Sequence, residues 1–183
     1  MKKIIGLVGE TGSGKDSFCL YAKKLSKPVF CFRFSDSLTK ALRIFFDKVD
    51  KIKKEDQQWL ATVLRQRFGN NILGEAVKNE VKKNKKGIII LNGIRAWEEY
   101  KTVKNLGGKI VYITASSKVR WQRIRKRGEK KDDSVSFQKF LKMEKAGTEI
   151  FISKIGKKAD FKIENSGSKQ DFYRSAKTIL KKL

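Results

Sequence analysis

The sequence predicts an α/β fold built on a parallel sheet of about five strands joined by right-handed crossovers. Three observations carry this expectation. Residues 3–8, KIIGLV, form a short apolar run that stops at Gly9, and an amphipathic segment follows over 15–24, so a strand, a glycine loop and a helix open the chain. The stretch Gly87-Ile-Ile-Ile-Leu91 is continuous in aliphatic residues, as a central parallel strand covered on both faces must be. Short apolar runs then alternate with helical tracts along the remaining chain, the pattern of βαβ units.

The other elements follow in order. A second strand, 29–34, comes after the only proline, Pro28, which suits a short helix-to-strand turn. A long helical tract covers about 36–84 and is broken near Gly69-Asn-Asn71, where Gly and Asn signal a helix end. After the third strand come a helix over 96–106 ending at Gly107-Gly108, a strand over 109–114, a helix over 116–127 and a polar loop over 128–133. A helical tract at 134–155, a strand at 160–164 and a helix at 169–182 complete the chain. No internal repeat or linker divides it, and 183 residues suit a single domain. The insertions at about 36–84 and 116–155 are where a substrate cap and a lid would sit.

Composition narrows the function. Hydrophobic residues make up 39% and include 12 Phe, ample for a globular core. No run reaches about 18 apolar residues, and Met1-Lys-Lys-Ile-Ile leads straight into a strand, so a cytoplasmic protein with no membrane partner is expected. The absence of histidine excludes imidazole acid–base chemistry and histidine-ligated metals. Cys19 and Cys31 lack metal-type spacing and read as buried thiols. A net charge of +25 attracts polyanions, so a nucleic-acid partner is one reading. Arginine supplies only ten of the 44 basic residues, and the lysines are spread over every helix surface, which favours a solvated lysine-rich exterior. Monomer and homodimer both remain open.

The motif with the most chemistry is Gly9-Glu10-Thr11-Gly12-Ser13-Gly14-Lys15-Asp16-Ser17. It follows a predicted strand and opens a predicted helix, the context that a Walker A loop needs. Its glycines let backbone N–H groups point at phosphate oxygens, the helix dipole adds positive potential, and Lys15 reaches the β- and γ-phosphates of ATP. Ser or Thr normally follows that lysine and ligates Mg²⁺; here Asp16 does. A carboxylate is a hard oxygen ligand and could hold the ion, or it could complement the helix dipole while phosphates and water hold the metal.

Phosphoryl transfer needs arginines aimed at phosphates and a carboxylate near the acceptor. Asp36, just past strand 2, is either that carboxylate or a helix N-cap. Arg95 follows strand 3 at the sheet's carboxyl edge, placed to fork onto a phosphate. Asn92 stands at the strand end where a second metal-linked aspartate is expected. Arg120, Arg123 and Arg127 share one helix face beside the loop Gly128 to Asp133 and read as a lid that closes on ATP, or as a solvated basic face.

With these residues located, the chain resembles the P-loop kinases of the nucleoside monophosphate kinase superfamily, especially dephospho-CoA kinases and an archaeal group of adenylate-kinase-like ATPases. The resemblance spans nearly the whole chain, through GETGSGKDS at 9–17, FSDSL at 34–38, LRQRFG at 64–69, LNGIRAWEE at 91–99, ASSKVRWQRIRKRGEKKDD at 115–133 and ADFKIENSG at 159–167. It implies a three-layer P-loop NTPase fold with a helical substrate-binding insertion and a lid. It also implies an enzyme that moves the γ-phosphoryl group of Mg-ATP to a nucleotide-like small molecule. The archaeal group usually has Asp-Gly-Ile-Arg where this chain has Asn92 to Arg95, whereas Gly-Lys-Asp resembles phage deoxynucleoside monophosphate kinases. By the same resemblance Asp36 matches the catalytic carboxylate of dephospho-CoA kinases, and Arg65 and Arg95 match acceptor-side arginines. Arg120, Arg123 and Arg127 match the lid, and Asn165 to Gly167 match a loop beside the adenine.

Overall fold

The computed structural model describes residues 2–25, 28–46, 48, 51–128, 135–144 and 150–183. β1 (Lys2–Val8) runs through the glycine loop into α1 (Lys15–Leu25), and β2 (Val29–Arg33) leads to α2 (Asp36–Leu42), α3 (Lys54–Phe68) and α4 (Ile72–Lys83). β3 (Gly87–Ile94) precedes α5 (Trp97–Asn105), and β4 (Lys109–Thr114) precedes α6 (Ser117–Arg127), α7 (Phe137–Glu144) and α8 (Ile150–Gly156). β5 (Phe161–Glu164) and α9 (Lys169–Lys182) follow. All strands pair in parallel in the order β2-β3-β1-β4-β5, as the expected fold class requires.

Strand alternation divides the core in two. Ile4 and Val8 of β1 and Ile89 and Leu91 of β3 pack toward α2–α5 and α8. Ile5, Leu7 and Ile90 face the opposite layer, against Phe18 and Ala22 of α1 and Phe172 and Ala176 of α9. Phe18 is fully buried, and sequestering a side chain of that size contributes about 1.5–3 kcal/mol. The first turn of α1 is thereby pinned to the sheet beneath the glycine loop. Among the described residues no helix is long and apolar enough to cross a membrane.

Three boundaries differ from the sequence reading. In the tract at 36–84 one helix ends at Leu42 and the next begins at Lys54, in addition to the break at Gly69. There the Ile44 and Phe45 N–H groups donate to Ala41 and Leu42, a tightened turn that ends α2 without Gly or Pro. β3 continues past Leu91 to Ile94 because a bulge, with Leu7 opposite Asn92 and Val8 opposite Ile94, lets Gly93 be inserted at φ 91°. Within the tract at 134–155 the described residues form α7 and α8. Of the polar loop at 128–133, only Gly128, a left-handed cap of α6, lies within the described residues.

Candidate active site

β1 sits mid-sheet, with β3 and β2 on one side and β4 and β5 on the other, so its loop opens at the strand-order switch where α/β folds hold ligands. Two glycines there are obligatory. A Cβ at Gly9 would stand 2.1 Å from the Ile113 carbonyl oxygen, and one at Gly14, where φ is 112°, would stand 2.4 Å from Asn165 Nδ2. Lys15 Nζ donates to the carbonyls of Gly9 at 2.6 Å and Glu10 at 2.9 Å, so the ammonium arches over the loop. Asn165, buried at the end of β5, donates from Nδ2 to the Ser13 carbonyl at 2.7 Å, and its backbone N–H donates to Thr114 O at 2.7 Å. The loop is therefore tied to the ends of both β4 and β5. Gly167 follows two residues later, exposed, just before the Ser168 cap of α9. On the other flank the Tyr112 hydroxyl donates to Glu10 Oε1 at 2.5 Å. Burial, with that acceptor, pushes the phenol up to about 12.

Asp16 is engaged twice. Its Oδ1 accepts from Asn92 Nδ2 at 2.7 Å and from Arg33 Nη2 at 2.8 Å. Burial pushes this carboxyl up, but the hydrogen bonds from Arg33 and Asn92 and the charges of Arg33 and Lys15 outweigh it and hold it below the ordinary aspartate value. The bulge at Gly93 and the pairing of β3 with β1 place Asn92 for this contact. Asn92 thus stands against Asp16 where a second carboxylate was expected, and Arg33 takes the same Asp16 oxygen from the end of β2. Asn92 Oδ1, on a residue only 4% exposed, has no hydrogen-bond partner among the described residues.

The buried side-chain atoms without a partner among the described residues are Glu10 Oε2, Ser13 Oγ, Asn92 Oδ1 and Arg123 Nη1. All of them border the glycine loop: two belong to it, Asn92 bonds Asp16, and Arg123 reaches Asn165 at 3.5 Å. Buried polar groups are almost always satisfied. Their concentration here sets the glycine loop apart from the rest of the described interior.

The three α6 arginines expected to form a lid separate by environment. Arg120 is buried, donating from Nε to Ala115 O at 2.8 Å and from Nη2 to Ser117 Oγ at 3.0 Å. It also forms a two-point pair with Glu144 of α7. Arg123 is half-buried, and burial alone lowers its guanidinium below the usual value. Arg127 is exposed in the last turn of α6.

At the end of β2, Asp36 Oδ2 accepts from the Arg33 backbone N–H at 2.8 Å, closing the turn into α2. Asp36 lines a cavity of about 260 Å³ with Arg33, Lys40, Val77, Glu80 and Lys83. Arg65 of α3 lies 3.7 Å from Glu99 Oε1. Glu99, nearly buried, accepts from the N–H groups of Arg95 at 2.7 Å and Ala96 at 3.2 Å through Oε2. Burial raises the Glu99 carboxyl despite the N–H groups and cations opposing it. Asp36 and Arg33 therefore form one group at the end of β2, and Arg65 and Glu99 another at the start of α5.

Sequence reasoning missed Arg33, Tyr112 and Glu144, and named Glu99 only as part of a motif. The signal for Arg33 is its place at a strand's carboxyl end, and for Glu99 its N3 position, where Glu reaches back to the cap N–H. Tyr112, in an apolar run, gives no such signal.

Full-length likeness to a UPF0200 protein of Staphylothermus marinus, 28% identical over 186 residues, covers 100% of this chain and 94% of the relative. Among solved structures, shikimate kinase from Acinetobacter baumannii in complex with shikimate matches 99% of this chain and 92% of its own at TM-score 0.62 and 19% identity. Dephospho-CoA kinase from Campylobacter jejuni matches 99% of this chain and 97% of its own at TM-score 0.54 and 17% identity. The fold is that of the P-loop kinases, as the resemblance at GETGSGKDS implied. A family model described as an AAA domain matches residues 5–146, from the first strand through the glycine loop and α7, and the chain belongs to that family, AAA_18.

Proposed function

We propose that the chain is an ATP-dependent small-molecule kinase that transfers the γ-phosphoryl group to a nucleotide or nucleotide-like acceptor. The observation that carries this reading is the set of unsatisfied polar atoms around a loop already shaped for phosphate. Loop N–H groups and Lys15 bind the β- and γ-phosphates, and Arg123 turns its spare N–H toward the transferred charge. Arg127 adds positive charge from the end of α6, while Arg120, through Glu144, sets the position of the lid. Asn165 and Gly167 border the adenine.

Asp16 and the unpaired Asn92 Oδ1 are adjacent hard oxygen donors, so the residues present suit Mg²⁺. The ion would supply charge neutralisation on the phosphates. The bond from the γ-phosphorus to its bridging oxygen breaks as a bond to the acceptor oxygen forms. If that oxygen is a hydroxyl, Asp36 takes its proton; an acceptor phosphate is already ionised and needs no base. Arg65 and Arg95 hold the acceptor, with Glu99 fixing the approach of Arg65. In this reading the chain is one cytoplasmic domain, monomeric or homodimeric, with a cap over 36–84 and a lid over 116–155.

The test is an ATP-consumption screen over ribo- and deoxynucleoside monophosphates, dephospho-CoA and shikimate, with Lys15→Ala as blank. Turnover on one acceptor class is expected. ATP binding without turnover on any of them favours a second reading, a nucleotide-binding protein with little transfer activity. The Arg33–Asp16 ion pair is the specific observation behind that alternative.

A further inference from the structure

We propose that the sheet edge opposite the glycine loop is a docking surface for the phosphate backbone of a nucleic acid. In a parallel sheet every strand begins at the same edge, and each helix that leads into the next strand ends there. Lysines gather at those positions. Lys2 and Lys3 begin β1, Lys85 and Lys86 precede β3, Lys109 begins β4 and Lys158 precedes β5. The last turns of α1, α4 and α9 add a lysine pair each. The edge is continuous: Lys2 lies opposite Gly87 in the ladder, Lys2 Nζ donates to Val81 O at 3.5 Å, and Phe161 shares a surface depression with Lys182.

Helix dipoles account for cations in the last turns of helices. They do not account for the lysines at strand starts, which add to the same field and repel it. Among the described residues the ion pairs on this edge use Glu80, which also binds Lys40, and Asp160, which is shared by Lys104 and Lys109. Uncompensated positive charge of this density suits a polyanion. Lysine is a point charge without the fork that reads base edges, so the contact is to backbone phosphates and independent of sequence. Large exposed apolar side chains lie mostly elsewhere, as at Ile44, Phe45, Trp59 and Phe68, and although Leu25 stands at this edge in the last turn of α1, one such side chain does not make the apolar face that a lipid surface needs.

The test is fluorescence anisotropy of a labelled RNA duplex of mixed sequence and of a scrambled version, titrated with the full chain from low to physiological salt. One variant replaces Lys3, Lys86, Lys158 and Lys182 with Glu. A control of equal charge change replaces Lys51, Lys118, Lys139 and Lys142 with Glu, and melting curves confirm that both variants fold. Expected are equal affinity for the two duplexes and a loss of tenfold or more in the edge variant alone. The slope of log affinity against log salt should shrink by up to about 0.9 per lost phosphate contact. Equal losses in both variants, no binding by the native chain, or edge-dependent binding only to phosphatidylserine vesicles would each overturn the proposal.

Discussion

Arg120 and Arg123 lie one helical turn apart and look alike in sequence, but their surroundings predict opposite responses to substitution. Arg120→Met removes a guanidinium that is 6% exposed and leaves Glu144, at 18% exposure, facing an apolar side chain, along with an unpaired Ala115 carbonyl. Breaking a buried pair on one side costs about 3–5 kcal/mol. At about 2–4 °C per kcal/mol for a chain of this size, the melting temperature should fall by roughly 6–20 °C. The lower end applies if Glu144 can swing to water. Arg120→Met with Glu144→Leu removes both charges and should recover most of the loss. Arg123→Gln instead breaks one long contact of 3.5 Å and removes an N–H that bonds nothing. It should melt close to the native chain yet bind a fluorescent ATP analogue about tenfold more weakly, since a hydrogen bond to a charged group contributes about 1.5–3 kcal/mol. Thermal melts by circular dichroism and an equilibrium titration read both outcomes. If Arg120→Met melts within about 2 °C of native while Arg123→Gln unfolds, the assignment of a scaffold arginine and a phosphate arginine is refuted.

Other substitutions probe the remaining contacts. Gly14→Ala forces a Cβ to 2.4 Å from Asn165 at a left-handed φ, so nucleotide binding should be lost and stability reduced by about 1–3 kcal/mol in urea melts. Asn92→Asp sets a second carboxylate against Asp16 and deletes its donor; the ligand-free protein should melt lower and recover when Mg²⁺ is added, and a melt insensitive to Mg²⁺ would count against the metal reading. Glu99 has a raised folded-state value, so the native state holds the extra proton between the unfolded and folded values, and its contribution to stability falls as pH rises through that window. The melting temperature of Glu99→Gln relative to native should therefore climb from pH 4 toward neutrality, and a difference constant with pH would sink the idea. Tyr112→Phe leaves both Glu10 oxygens without a donor and should cost about 1–3 kcal/mol, with weaker ATP-analogue binding as the loop loosens.

The fold was legible because its signals are local. A run such as Gly87 to Leu91 must be covered on both faces wherever it lies, and a glycine loop between strand and helix has few alternatives. The break after Leu42 was hidden because it uses tightened hydrogen bonds among Ala41, Leu42, Ile44 and Phe45 in place of a breaker residue. The bulge at Gly93 was hidden because register belongs to the pairing of β3 with β1 rather than to either strand alone.

The site was legible only as an inventory, since residue types declare chemistry while partners depend on tertiary approach. Asn92 looked like a missing carboxylate, but it lies 76 residues from Asp16 and supplies the amide donor that a lone carboxylate beside a lysine can use. Two carboxylates there would repel one another until a cation arrived. An aspartate flanked by an amide and an arginine is settled beforehand, and under the proposed function Mg-nucleotide would have to loosen its ion pair. Asp16, Asn92 and Arg33 therefore act as one exchangeable set. Arg33→Ala should raise the Asp16 value toward that of a free aspartate and tighten Mg²⁺ binding to the nucleotide complex, whereas weaker Mg²⁺ binding in a folded Arg33→Ala protein would mean that the arginine builds the cation site.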